Sequence, residues 1–227
     1  MHVKADLHLH SSEDTQDLLS LTPAQIIAKA AALGFRVLAF SHHEHYDCSE
    51  ETKKLAASHG ILLIPGGEKK IEGCDVLVYN VPAERFAALK KLEDLRQLKR
   101  DFPTSLIIAP HPFAPILSLG KRLREYIDVF DALEWTHFYT AWFNWNKKTT
   151  QIAQEFQKPL IACSDTHFAC QFGQTYSELE VAELTQAAVL NAIKAGKITL
   201  HTQPLSLWQL VKILANMIWL NFSRLFR

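Results

Sequence analysis

The sequence predicts an α/β fold in which a largely parallel sheet is wrapped by helices. Short apolar runs alternate with helix-like segments along most of the chain, and Gly and Pro fall between them. Side chains able to hold a metal recur just past those apolar runs, which places the chemistry at strand ends.

The elements follow in order. Val3–His8 reads as a strand. Thr22-Pro23 gives an N-cap followed by proline at the first helical position, and Ile26, Ile27 and Ala30 continue a helix that stops at Gly34. Val37–Ser41 is strand-like, and Ser49–His59 is a helix closed by Gly60. Ile61–Ile64 and Val76–Val81 are buried-strand runs. Phe86, Leu89, Leu92, Leu95 and Leu98 have near-helical spacing, which predicts one long charged helix between Pro82 and Phe102. Strands follow at Leu106–Ala109, Ala132–Trp135, Leu160–Cys163 and Ile198–His201. Helices lie between them at Lys121–Ile127, Asn146–Gln157 and Leu184–Ala195.

Composition bounds the function. A chain of 227 residues, 48% hydrophobic, suits one barrel-sized domain and excludes disorder. Lys plus Arg (24) balance Asp plus Glu (24), so no overall field holds the protein on nucleic acid. Cys48, Cys74, Cys163 and Cys170 lack zinc-ribbon spacing, and MHVKADLHLH opens on a strand without a secretory pattern. Reduced thiols in the cytoplasm are the expectation.

The eleven histidines are the anomaly, and their placement matters most. His8 and His10 close the first strand, and alternate strand residues point one way, so both imidazoles face one side. His43 follows the second strand, Glu68 the third, and Asp75 opens the next. His111 follows Leu106–Ala109, Glu134 sits on the following strand, and Asp165 and His167 repeat the i, i+2 spacing after Leu160–Cys163. One HxH pair arises by chance, and an SDTH run can be a helix cap with a bystander histidine. His59, His137 and His201 read as helix-end, wall or strand histidines. A structural core has no use for so many titratable groups at one rim, because each needs a partner. Imidazole nitrogen with carboxylate oxygen suits Zn²⁺, Mn²⁺ or Fe²⁺.

DLHLHSS (6–12), FSHHE (40–44), PGGE (65–68), APHPF (109–113), ALEW (132–135) and SDTH (164–167) together resemble the polymerase and histidinol phosphatase (PHP) family over residues 3–200. The resemblance implies a distorted seven-stranded barrel over residues 1–204, holding up to three divalent metals. It implies that His8, His10, Glu68 and Asp165 hold the first metal, and that Glu68 bridges to a second shared with His111. A third would sit between His43, His167 and either Asp14 or Asp17. Two positions depart from the family pattern: His42 stands where an aspartate is usual, and Asp75 where a histidine is usual. Asp75 still offers an oxygen ligand; otherwise the second site is weak or empty.

The implied activity is hydrolysis of phosphate monoesters or small phosphoesters, with a small phosphorylated substrate as the partner. The alternatives are a C–N bond hydrolase of amidohydrolase type, for which no strand-end bridging lysine is evident, and a degenerate metal-binding module without turnover. His42 and Asp75 are candidates for protonating the leaving group. Lys69 and Lys70, next to Glu68, have a better claim on an anion than Lys121, Arg122 and Arg124, which read as a solvated helix face.

Residues 205–227 contain no acid and only Lys212, Arg224 and Arg227 as cations. The apolar stretch between Lys212 and Arg224 is too short for the ~20 residues that span a bilayer. The segment reads as an apolar helix with a narrow polar stripe. It either lies on a membrane surface or, as the preferred reading, caps the barrel bottom or buries itself in a homodimer.

Overall fold

The computed structural model describes residues 1–17, 19–47, 49–115, 117–213 and 215. Its strands are β1 (His2–Leu9), β2 (Phe35–Phe40), β3 (Leu62–Leu63), β4 (Gly66–Ile71), β5 (Cys74–Tyr79), β6 (Leu106–Ala109), β7 (Ala132–Thr136), β8 (Leu160–Cys163), β9 (Tyr176–Glu180) and β10 (Ile198–His201). Its helices are α1 (Pro23–Ala32), α2 (Glu50–Ser58), α3 (Ala83–Ala87), α4 (Asp94–Asp101), α5 (Arg122–Glu125), α6 (Asn146–Glu155) and α7 (Gln186–Lys194).

The helix starts follow local chemistry. Thr22 and Gln25 form a reciprocal capping box at α1, and Ser49 and Thr185 cap α2 and α7. The long helix expected between Pro82 and Phe102 is instead broken into α3 and α4. Side chains take the backbone N–H groups that a continuous helix would use: Asp94 Oδ2 accepts from Lys90 and Lys91, and Glu72 Oε2 from Leu92. The leucine spacing still serves burial, because Phe86, Leu89, Leu92, Leu95 and Leu98 all enter one core cluster.

The mixed α/β fold holds, but the pairing does not form the expected seven-stranded barrel. The strands make two five-stranded sheets, in the orders β10-β9-β1-β2-β3 and β4-β5-β6-β7-β8. Two strands absent from the sequence reading explain the difference. β4 pairs antiparallel with β5 through a two-residue turn at Glu72 and Gly73, both with positive φ. β9 runs antiparallel between β1 and β10. Among the described residues no strand ladder joins the sheets; the backbone pairing between their edges is limited to the isolated bridges Leu9 to Thr166, His43 to Glu68 and Asp47 to Gly66, so no closed barrel forms there.

The sheets still face one core. Leu7, Val37 and Ala39 of the first sheet pack with Leu77, Tyr79, Ile108 and Ile161 of the second, and α7 closes the end with Val189 and Ile193. Tyr79 ties the sheets directly, its hydroxyl donating to the Leu7 carbonyl at 2.5 Å beside Ser41 Oγ at 3.2 Å. Gly66 is needed there, because a Cβ would run into the Tyr79 ring.

Residues 207–213 are helical, and the Leu205 N–H donates to the Tyr139 carbonyl at 2.8 Å. Ile213 is buried in the wall of the cavity described below, so this segment lies at the site and not at the opposite end of the sheets. The rest of the helix expected over residues 205–227, residue 214 and residues 216–227, lies outside the described residues. Among the described residues no helix is long and apolar enough to cross a membrane.

Candidate metal centre

The strand ends converge. His8 and His10 project from the end of β1, both buried. Glu68 lies on β4, Asp165 and His167 follow β8, His43 follows β2 and His111 follows β6. His8 Nε2 lies 3.4 Å from Glu68 Oε2 and 3.4 Å from Asp165 Oδ1. His10 Nε2 lies 3.5 Å and 3.4 Å from the same two oxygens. Two ligands ~2.1 Å from one ion at a tetrahedral angle stand roughly 3.4 Å apart, longer than a hydrogen bond between the same atoms.

Glu68 reaches the other members of the centre. His111 Nε2 lies 3.5 Å from its Oε1 and His43 Nε2 3.3 Å from its Oε2. Among the described residues, three donor groups are tight enough to hold an ion: His8 with His10 and Asp165; His8 with Glu68 and His111; and His10 with His43 and His167.

A second layer of carboxylates aims these groups. Glu134 Oε1 accepts from His8 Nδ1 at 3.0 Å, and its Oε2 accepts from the His111 backbone N–H at 2.7 Å. Asp14 Oδ2 lies 2.9 Å from both His10 Nδ1 and His43 Nδ1. With Nδ1 engaged in this way, the Nε2 lone pairs of His8, His10 and His43 turn toward Glu68. Asp14 thus faces Nδ1 atoms, whereas Asp17 Oδ2 lies 3.1 Å from His167 Nε2 and 3.6 Å from His43 Nδ1. Neither belongs to the three tight groups, and nor does Asp75, which lines the cavity beside Glu68 and His111.

The electrostatics fit divalent cations. Buried His8 Nε2, His10 Nε2 and Glu68 Oε1 have no hydrogen-bond partner among the described residues. The His10 ring stacks 4.5 Å from His43 and 4.4 Å from His167, an arrangement that three imidazolium charges would oppose. Burial alone would raise the Glu68 and Asp165 carboxyls, but His8 and the other facing imidazoles hold both well below the usual range. Burial and then the charge of Glu68 push Asp75 up to about 7. His111 and Asp165 adopt positive φ, with backbone strained at the site itself.

The centre opens into a cavity of about 530 Å³. One wall is apolar, with Pro115, Leu117, Phe138, Phe168 and Ile213, and Lys70 reaches it from β4. Lys69 is instead tied to Glu44 at 2.5 Å. Arg122 engages the Glu72 carbonyl and Cys74, and Arg124 pairs with Glu155; neither lines the cavity. His42 is also outside the lining, bonded to Ser11 Oγ at 2.8 Å and lowered to about 4 by burial and then by the charge of His10, so it does not face a leaving group.

Glu134 was legible only as a carboxylate on a strand; its burial between apolar neighbours was the signal that it needed partners. His137, Phe168 and Gln171 reach the cavity from loops, with no sequence signal. Gln171 Oε1 accepts from the His167 and Phe168 N–H groups, fixing the loop after β8.

Comparison with known proteins bears on the fold that carries this centre. A family model described as PHP-associated matches residues 143–198. A solved two-domain Bacteroides vulgatus protein, containing a predicted PHP-like metal-dependent phosphoesterase, superposes with a TM-score of 0.69 at 15% identity, over 89% of this chain and 65% of that one. The fold is PHP-like.

The family resemblance read from the motifs is thereby borne out. The PHP-like fold is also similar to the lesion-specific endonuclease Q of Pyrococcus furiosus, with a TM-score of 0.66 at 20% identity, over 88% of this chain and 58% of that one. An amidohydrolase from Chromobacterium violaceum gives 0.56 at 15% identity, over 86% and 97% of the two chains. An uncharacterized protein of Methanocaldococcus jannaschii is 27% identical over 57% of this chain and 82% of its own length. The chain thus spans less than two thirds of the Bacteroides and Pyrococcus proteins.

Proposed function

We propose that the chain is a metal-dependent hydrolase that cleaves phosphate monoesters or small phosphoesters. One observation carries the reading: imidazole and carboxylate donors from separate strands stand at ligand-like spacings of 3.4–3.5 Å at the end of an open cavity. His8, His10, Glu68 and Asp165 would hold a first ion of zinc, manganese or iron. Glu68 and His111 would hold a second, with Asp75 beside them, and His43 and His167 a third with Asp17. When bound, such ions supply Lewis acidity that polarises a phosphoryl oxygen and makes water a nucleophile near neutral pH.

The chain's own residues do the rest. Lys70 binds the anionic end of the substrate, and the apolar wall takes the organic part and excludes water. Glu134 and Asp14 hold the imidazoles in their productive tautomers. Cys74, Cys163 and Cys170 are free thiols, which suits the reducing cytoplasm.

The test is release of phosphate from an aryl phosphate with added Mn²⁺ or Zn²⁺. Activity should fall to background in His10→Ala and persist in Lys121→Ala. Hydrolysis of a cyclic amide but not of phosphate esters would favour the C–N bond reading. Tight metal binding without turnover of either substrate would favour a degenerate binding module.

A further inference from the structure

Two exposed apolar elements share the rim of this cavity. The first is the loop after β7, where Trp142 is 78% exposed and Phe143 71% exposed. The second is the helical segment 207–213, which exposes Leu207, Trp208 and Val211 along one face, Trp208 to 76%. They are neighbours. Phe138 at the root of the loop and Ile213 of the helical segment line the same cavity, and Leu205 is bonded to Tyr139. Tyr139 also donates its hydroxyl to Thr202 Oγ1 at 3.0 Å, a second tie between the segments.

We infer that this rim docks on an anionic lipid surface, a reading independent of the proposed reaction. Charge selects that occupant. Residues 138–154 and 202–215 contain no acidic residue, and they carry the exposed Lys147, Lys148 and Lys212. Exposed tryptophans in segments that carry lysines and no acid match the boundary between acyl chains and negative headgroups. A second copy is a poorer occupant. A two-fold contact would set this basic rim against itself, with no carboxylate in either segment to pair the lysines.

The experiment is flotation of the full chain with vesicles of phosphatidylglycerol and phosphatidylcholine, or of phosphatidylcholine alone, at low and high salt. Flotation should require phosphatidylglycerol and weaken as salt rises. The Trp142→Ser/Phe143→Ser/Trp208→Ser variant should partition at least tenfold less, with unchanged circular dichroism and metal affinity. Absence of flotation on anionic vesicles would overturn the inference. So would wild-type flotation of the variant, or self-association that the substitutions abolish without any vesicle binding.

Discussion

His8 Nδ1 lies 3.0 Å from Glu134 Oε1, and both side chains are fully buried. The other Glu134 oxygen accepts from the His111 N–H at 2.7 Å, so one carboxylate fixes residues from two strand ends. An amide in its place can accept from only one of these donors. Glu134→Gln should therefore turn His8 toward the tautomer whose Nε2 is protonated, and metal affinity should fall roughly 10–100-fold. Competition titration against a fluorescent chelator measures this, and unchanged affinity would remove Glu134 from the aiming layer.

The adjacent lysines of β4 should separate kinetically. Lys70 faces the cavity, whereas Lys69 is held by Glu44. Lys70→Ala should raise KM roughly tenfold for a phosphate ester with kcat nearly unchanged, the loss expected for a charged contact made equally in ground and transition states. Lys69→Ala should leave KM as it is. Equal effects of the two substitutions would deny Lys70 its role.

What the sequence revealed and what it hid divide along a physical line. The His8/His10 pair and the α1 cap were legible because strand alternation and capping are local. The break between α3 and α4 was only partly so: Asp94 takes the Lys90 and Lys91 N–H groups locally, but the Leu92 N–H goes to Glu72, distant in sequence. The division into two sheets was not legible, because it depends on β9 entering beside β1 from far along the chain. At the site, candidate ligands could be read from residue type and position. The aiming contacts of Glu134 and Asp14, and the cavity wall from Phe138, Phe168 and Ile213, exist only once separate segments meet.

Gly66 tests how tightly the sheets are joined at the site. A methyl group there meets the Tyr79 ring, which bonds across to Leu7. Gly66→Ala should destabilise the fold by about 1–3 kcal/mol, the usual cost of overpacking, or more if Tyr79 loses its partner. Urea denaturation with an unchanged slope and a lowered midpoint is the expected record. An unshifted midpoint would mean that the sheets part at little cost.

Metal should stabilise the folded chain, because the centre exists only when the strands are assembled. At a free concentration 100 times Kd, one site contributes about 2.7 kcal/mol. For a chain of this size that corresponds to roughly 5–10 °C in Tm. Adding Mn²⁺ or Zn²⁺ to chelator-stripped protein should produce the shift, and Glu68→Gln should abolish it. An identical melt with and without metal would count against a built site.

Anomalous diffraction from crystals soaked in Mn²⁺ or Zn²⁺ is the most direct measurement. A peak within about 2.0–2.3 Å of His8 Nε2, His10 Nε2 and a Glu68 or Asp165 oxygen is expected. Crystals that retain the fold but carry no peak within reach of these four side chains, or peaks only on surface histidines, would contradict the proposed centre and the hydrolase built on it.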